Sequence, residues 1–357
     1  MSQLNVNKIA KYSGNNVSLD DKLKLKNLTT TQRDALTSVA GDMIFNTTTS
    51  KAQVYNGSSW SDLGGIAGEE IEFLVVGGGG RGGRGKDAYR AGGGGGAGGY
   101  VTSVTGDSTP NGDPVHSNQI IQTGTNYNVT VGAGTGSYST RGGDSNFHQN
   151  YAIGGGGSWG YQHVGAGGGS GGGNGDSYIN DHIESQGNRS NGASGSSTTL
   201  RRMGGGGAGE SGGTDGTGTG GDGLITTIIT STEATTYSVG QVDGTDVYFA
   251  GGGSGGGAQS SGGNIVGGLG GGGTGVTGNG SNGTAGTVNT GGGGGGAGNN
   301  GGATTGNGGS GGSGVVILRY PSSLSITVGA GLTSSTFTQG SNSVTIFTAG
   351  TDNISWS

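Results

Sequence analysis

Glycine is the feature that most constrains this chain. All but seven of its 96 glycines lie between residues 64 and 321, where about one residue in three has no side chain. Such a segment brings little apolar surface to offset the entropy of ordering it, and glycine costs more to order than any other residue. Collagen meets that cost with a strict Gly-X-Y repeat and abundant proline. Here the glycines come in uninterrupted runs, at 92–96 and 291–296 among others, and the whole chain has three prolines. Two readings are left. One is a flexible, low-complexity linker. The other is a bundle of polyproline II helices made of glycine, or polyglycine II. That helix has three residues per turn and no internal hydrogen bonds, so every N–H and C=O must pair with a neighbouring strand. Only a residue without a side chain lets neighbours approach from all sides.

The segments between the runs favour order. Glu72-Phe73-Leu74-Val75-Val76, Val247-Tyr248-Phe249-Ala250 and Val315-Val316-Ile317-Leu318-Arg319-Tyr320 are short apolar runs rich in β-branched and aromatic residues. They read as buried strands, and each abuts a glycine run. Near the end of the block, Thr304, Asn307, Ser310 and Ser313 recur every three residues with glycine at nearly all sites between them. A period of three places these side chains on one edge of a polyglycine II helix and leaves glycine on the other two.

Charge and cysteine exclude several classes of function. The formal net charge is −6, and residues 1–63 carry seven basic against five acidic side chains, so the glycine-rich remainder holds all of the negative excess. An acidic body lacks the basic footprint that nucleic acid requires, and an anionic membrane surface is equally unsuited to it. No stretch approaches the ~20 apolar residues of a membrane span. Cysteine is absent, so disulfides and cysteine-ligated zinc play no part. The first residues show no basic segment followed by an apolar run, so no secretory signal is expected and synthesis in a cytoplasm is.

Residues 1–63 read as a compositionally ordinary α/β module. Thr29 and Gln32 fit a helix capping box. Asp42-Met43-Ile44-Phe45-Asn46, Ala52-Gln53-Val54-Tyr55 and Ser58-Ser59-Trp60-Ser61-Asp62-Leu63 read as a three-stranded meander, with Asn56-Gly57 as its second turn. About 60 residues with so few apolar groups are marginal alone, so oligomerisation is expected.

At this point a resemblance enters. The stretches Leu28-Thr29-Thr30-Thr31-Gln32-Arg33-Asp34-Ala35-Leu36, Gly41-Asp42-Met43-Ile44-Phe45-Asn46-Thr47-Thr48-Thr49 and Gln53-Val54-Tyr55-Asn56-Gly57-Ser58-Ser59-Trp60 resemble a segment recurrent in tail-fibre and other virion structural proteins of bacteriophages. The block from Glu72-Phe73-Leu74-Val75-Val76-Gly77-Gly78 to Ser313-Gly314-Val315-Val316-Ile317-Leu318 resembles the glycine-rich domain of phage and bacterial surface proteins, among them tail-tip adhesins built as polyglycine II sandwiches. The resemblance implies a mainly β fold with polyglycine II helices, in a homotrimeric fibre. It implies a virion protein made in the host cytoplasm without a signal peptide, whose N-terminal module meets other tail or neck proteins and whose body meets a surface glycan or protein receptor. A purely structural neck whisker or capsid decoration, or a polysaccharide depolymerase, are the alternatives. The expected domains are 1–63, 64–321 and a small C-terminal β tip or cap at 322–357.

Within the block, Tyr127-Asn128-Val129-Thr130-Val131 reads as a strand. Leu224-Ile225-Thr226-Thr227-Ile228-Ile229 and Tyr237-Ser238-Val239 read as a strand pair joined through 231–236. The richest interruptions, 145–164 and 176–202, carry Phe147, His148, Tyr151, Trp159, Tyr161, His163, Tyr178 and His182. As a group these rings are the candidates for receptor contact, since an aromatic ring offers contact area at low entropy cost. For any one of them, cover of the glycine bundle or packing against a sister subunit is the competing role.

Patterns that mimic chemistry are discounted. Gly80-Arg81-Gly82-Gly83-Arg84-Gly85-Lys86-Asp87 approximates a phosphate-binding loop, but Asp87 stands where a magnesium-holding hydroxyl belongs, and glycine richness makes such matches cheap. Asp176, Asp181 and Glu184 are near enough in sequence for a glycosidase pair, though exposed loop acids are far commoner. The four histidines have no zinc spacing, and Gly221-Asp222-Gly223-Leu224 lacks the recurrence of a calcium repeat. No cofactor, metal or enzymatic activity is expected.

Overall fold

The computed structural model describes residues 25–63, 68–85, 91–112, 114–138, 140–158, 168–173, 203–213, 218–257, 263–278, 280–298 and 306–357. The chain divides into two compact units, Met1–Ala67 and Gly68–Ser357.

In the first unit, β1 (Lys26–Leu28) leads into α1 (Thr30–Asp34), followed by β2 (Met43–Asn46), β3 (Lys51–Tyr55) and β4 (Trp60–Leu63). The helix starts where the sequence places it. The Thr29 hydroxyl accepts from the Gln32 amide, and the Gln32 side chain accepts from the Thr29 amide. The strands lie in the order β1-β2-β3-β4, with β1 parallel to β2 and the other pairs antiparallel. The second turn is longer than a two-residue hairpin: Tyr55 pairs with Trp60, and Asn56 accepts from Ser58 and Ser59 through its side chain while only Gly57 takes positive φ.

The second unit opens with β5 (Glu69–Val76), then β6 (Tyr100–Thr102), β7 (Gln119–Ile121), β8 (Tyr127–Val131), β9 (Ser145–Phe147) and β10 (Asn150–Ala152). It continues with β11 (Leu224–Thr226), α2 (Ser231–Tyr237), β12 (Gln241–Asp243), β13 (Asp246–Phe249), β14 (Val315–Pro321), β15 (Ile326–Val328), β16 (Leu332–Gln339) and β17 (Asn342–Trp356). Ten strands form one sheet along the path β10-β9-β8-β17-β14-β5-β6, with β15 and β16 also paired to β17 and β7 to β5. A three-stranded sheet, β11-β13-β12, stands apart from it.

The continuous apolar runs of β5 and β14 are explained by burial on both faces. Leu74, Val76, Val315 and Ile317 enter a core shared with Phe249, Ala234 and Tyr100. Their alternates Phe73, Val75, Val316 and Leu318 enter a second core with Phe147, Tyr127 and Trp356. A strand covered on both sides loses the polar alternation of a half-exposed one.

Two sequence expectations change. Residues 231–236 are helical, because Thr230 and Glu233 form a second capping box and Ala234 turns its methyl into the core. Strand β11 therefore pairs with β13, not with the 237–239 stretch. Nor do residues 322–357 form a separate tip. Strand β17 lies between β14 and β8 in the large sheet, and its Phe347, Ile354 and Trp356 are core residues of the same unit.

Candidate attachment end of the glycine-rich unit

Every strand that borders the glycine block runs straight into it: Val76 into Gly77, Gly99 into Tyr100, Gly314 into Val315, Gly223 into Leu224. Past these junctions the hydrogen-bonding pattern changes from ladders to something many-sided. In segment 92–99, the amides of Gly92, Gly95 and Gly98 donate to the carbonyls of Ala297, Gly294 and Gly291. Those of Gly94 and Ala97 donate to Met203 and Gly206, and those of Gly96 and Gly99 to Gly156 and Ile153. The carbonyls of Gly93, Gly96 and Gly99 accept from Gly83, Gly80 and Gly77; those of Gly94 and Ala97 from Gly173 and Ser170; those of Gly92 and Gly95 from Gly256 and Gly253. All these bonds are 2.7–3.1 Å long. Successive residues address different neighbours, and each neighbour is met again three residues later.

This packing needs glycine. A Cβ on Gly94 would overlap the carbonyl of Gly253, one on Gly95 that of Gly80, and one on Gly294 that of Gly309. Where a run faces outward, side chains return on the same period: Asn307 and Ser310 are exposed and Ser313 half-exposed, with buried Gly308, Gly309 and Gly312 between them.

The same bonds fix which residues lie level with one another. Gly94 donates to Met203 and accepts from Gly173, Gly92 is joined to Ala297 and Gly256, Gly85 donates to Gly306, Ser158 to Arg81, Gly204 to Gly213 and Gly255 to Gly218. The positions from which the chain passes into 86–90, 159–167, 174–202, 214–217, 258–262 and 299–305 are thus gathered at one end of the bundle, opposite the strands. The sequence, read linearly, gives no sign that these breaks share an end.

The sequence candidates separate. Phe147 is fully buried against Phe73, Tyr127 and Trp356, with ring centroids 6.0–6.5 Å apart, so it presents no surface to a partner. His148 occupies the β9–β10 turn with φ +53° and sits edge-on to Tyr127 at 5.2 Å. Tyr151 is 52% exposed on the edge strand β10. All three belong to the strand end, because 145–152 is a hairpin of the sheet and not a loop. Trp159, Tyr161, His163, Tyr178 and His182 lie outside the described residues, as do Asp176, Asp181 and Glu184.

Nearer the branching end is a cluster that sequence reasoning missed. The Arg81 guanidinium donates to the Gly136 carbonyl and, at 3.0 Å, to the Tyr138 hydroxyl, and its carbon stands 4.1 Å from the Tyr138 ring centre. The Tyr138 hydroxyl donates to Asn307. The cluster pins the stretch around Tyr138 to two glycine runs. Its only sequence signal was a large cation inside a glycine run. The phosphate-loop resemblance has a structural answer here: the amides of Gly80, Gly82, Gly83 and Gly85 are all committed to carbonyls of neighbouring runs. Asp222 is likewise engaged, accepting from the Leu269 amide.

At the strand end, one carboxylate ties two elements together. Asp107 accepts from the hydroxyls of Tyr100, Thr102, Thr226 and Thr227 and from the Thr227 amide. Burial, reinforced by the Asp107 charge, pushes the Tyr100 phenol well above its ordinary 10.0. Among the described residues no group of three His, Asp or Glu could hold a metal ion, and no helix is long and apolar enough to cross a membrane.

Comparison with known families assigns residues 47–321 to a glycine-rich domain. The chain belongs to the glycine-rich domain family. No curated protein and no solved structure matches it. The family match spans the whole region between β2 and the end of β14, so it covers both the laterally bonded runs and the strands that start them.

Proposed function

We propose that this glycine-rich domain protein is a structural component of a bacteriophage virion appendage, a tail fibre or fibre-like part, that helps attach the particle to its host cell. In this reading the glycine block is a polyglycine II sandwich. Support comes from the lateral bonding of segment 92–99, whose neighbours return every three residues, and from the carbonyls of Gly291, Gly294 and Ala297, which accept in turn from Gly98, Gly95 and Gly92. The observation that carries attachment is the gathering of the breaks between runs at one end of the bundle, away from the sheets. A stiff body whose runs break at one end suits it to present contacts to a surface, since loops are where binding residues concentrate on a rigid scaffold. The partners on this reading are a surface glycan or protein receptor, other tail or neck proteins through the N-terminal unit, and sister copies in a homotrimer. Repeated copies would raise avidity without new contacts. The role is adhesive and mechanical, with no catalytic step.

The test is to replace residues 174–202 with a short Gly-Ser link. Gly173 and Met203 are both bonded to Gly94, so a few residues close the gap. Labelled full-length protein is expected to adsorb to host cells, and the replaced form to lose adsorption while keeping amide protection in its glycine runs. Undiminished adsorption by the replaced form would remove the receptor role from that segment. Release of reducing sugar from host polysaccharide would favour a depolymerase instead.

A further inference from the structure

The N-terminal unit buries polar side chains on one side of its sheet and leaves apolar ones unburied on the other. The side of its sheet that α1 covers carries the buried residues Leu28, Ile44, Asn46 and Gln53, and two of these four are polar. They are held by a hydrogen-bond network: Asn46 donates to Gln53 and to Thr30, Arg33 donates to Gln53, and Gln53 donates to Asp62. The opposite face follows from the strand register, since Met43 pairs with Val54, Phe45 with Ala52, and Ala52 with Leu63. These five apolar side chains share one face, and none is buried; Met43 is 44% exposed. No described element of the unit covers them. An apolar sheet face is normally packed on a core, and among the described residues of the unit nothing packs on this one.

Charge is divided the same way. Lys26, Lys51 and Asp62 project to the helix side by register, and Arg33 and Asp34 belong to the helix itself. On the open face the only polar neighbours in register are the neutral Asn27 and Ser61. We infer that this face is where copies of the chain meet, the occupant being the same Met43, Phe45, Val54 and Leu63 surface of a second copy. A neutral apolar face suits a symmetry axis, because the same face of each copy meets there and no unpaired charge is buried on any of them. A foreign protein surface of ordinary charge would have to strip water from ions that this face cannot pair. The inference deepens the homotrimer part of the proposed function by naming its surface, and its test reads mass, so it stands or falls apart from cell attachment.

Light scattering on the full-length protein is expected to give a multiple of 34.2 kDa for the native sequence. Val54→Glu and Phe45→Lys are each expected to bring it to the single-chain mass. Lys26→Ala, on the other side of the sheet, leaves the assembly intact. Because the altered side chains are not buried within the unit, the unit should keep its fold, which retained amide protection in β2 and β3 checks. A single-chain mass for the native protein overturns the inference and hands the face to another part of the chain or to a foreign partner. Dissociation by Lys26→Ala also overturns it. The chain has no cysteine, so Ser61→Cys gives a unique spin-label site beside Val54. Dipolar coupling between labels on different copies is expected, and its absence from a multi-copy assembly moves the interface elsewhere.

Discussion

At the scale of single residues, glycine here is a steric requirement set by backbone neighbours. Gly294 would carry its Cβ into the Gly309 carbonyl, and a backbone neighbour held by its own hydrogen bonds cannot swing aside. Gly294→Ala is therefore expected to cost about 3 kcal/mol, the upper range for overpacking. Gly263 has open space around its would-be Cβ and no positive φ, so Gly263→Ala should stay within about 0.5 kcal/mol of the native protein. Urea midpoints of the two variants make the comparison. Tyr100 gives a second test. Its phenol stays protonated in the fold well above 10.0, while the unfolded chain ionises near that value. The folded state thus holds the proton more tightly, and stability is whole below pH ~10 and declines as pH rises from there toward the folded value. Tyr100→Phe should flatten that alkaline decline while lowering stability at neutral pH, since Asp107 loses a donor. Thr29, Gln32, Asn307 and Ser310 were legible because local spacing alone sets their roles. Phe147 was not: its burial depends on Trp356, more than 200 positions away.

At the scale of elements, local signals and long-range pairing have different reach. The strands β5, β8, β13 and β14 were readable as apolar runs beside glycine. Helix α2 was missed because 231–236 read as the connection between two strands, whereas Thr230 and Glu233 cap a helix over the same letters. The pairing of β17 was invisible because its partners β14 and β8 come from distant parts of the chain. That pairing makes the last 36 residues integral. A chain ending at residue 321 should lose its cooperative thermal transition, as a removable cap would not. Amide exchange tests the glycine runs directly: Gly92–Gly99 amides should be protected to the level of β14, and rapid exchange throughout would return the runs to linker.

At the scale of the whole molecule, composition defined the problem without solving it. A glycine-rich block is legible from counting, and its order from the strands that bound it. Which breaks share an end follows only from hydrogen bonds among runs that the sequence makes nearly identical, so no local pattern could show it. The unburied apolar face of the N-terminal unit was hidden for a related reason: alternation shows that a strand has two sides but not which side the helix takes.

The three-residue recurrence of those bonds sets a rule of arithmetic on how such a protein can change length. Adding three residues to a run moves it one full turn, about 9 Å at ~3.1 Å per residue, and returns every amide to a carbonyl of the same neighbour. Adding one or two turns each amide toward the wrong neighbour along the rest of the run. At the branching end no such count applies. Insertions between 92 and 99 should be tolerated in threes and rejected otherwise, whereas residues added between Gly173 and Met203, both bonded to Gly94, should leave that register intact whatever their number.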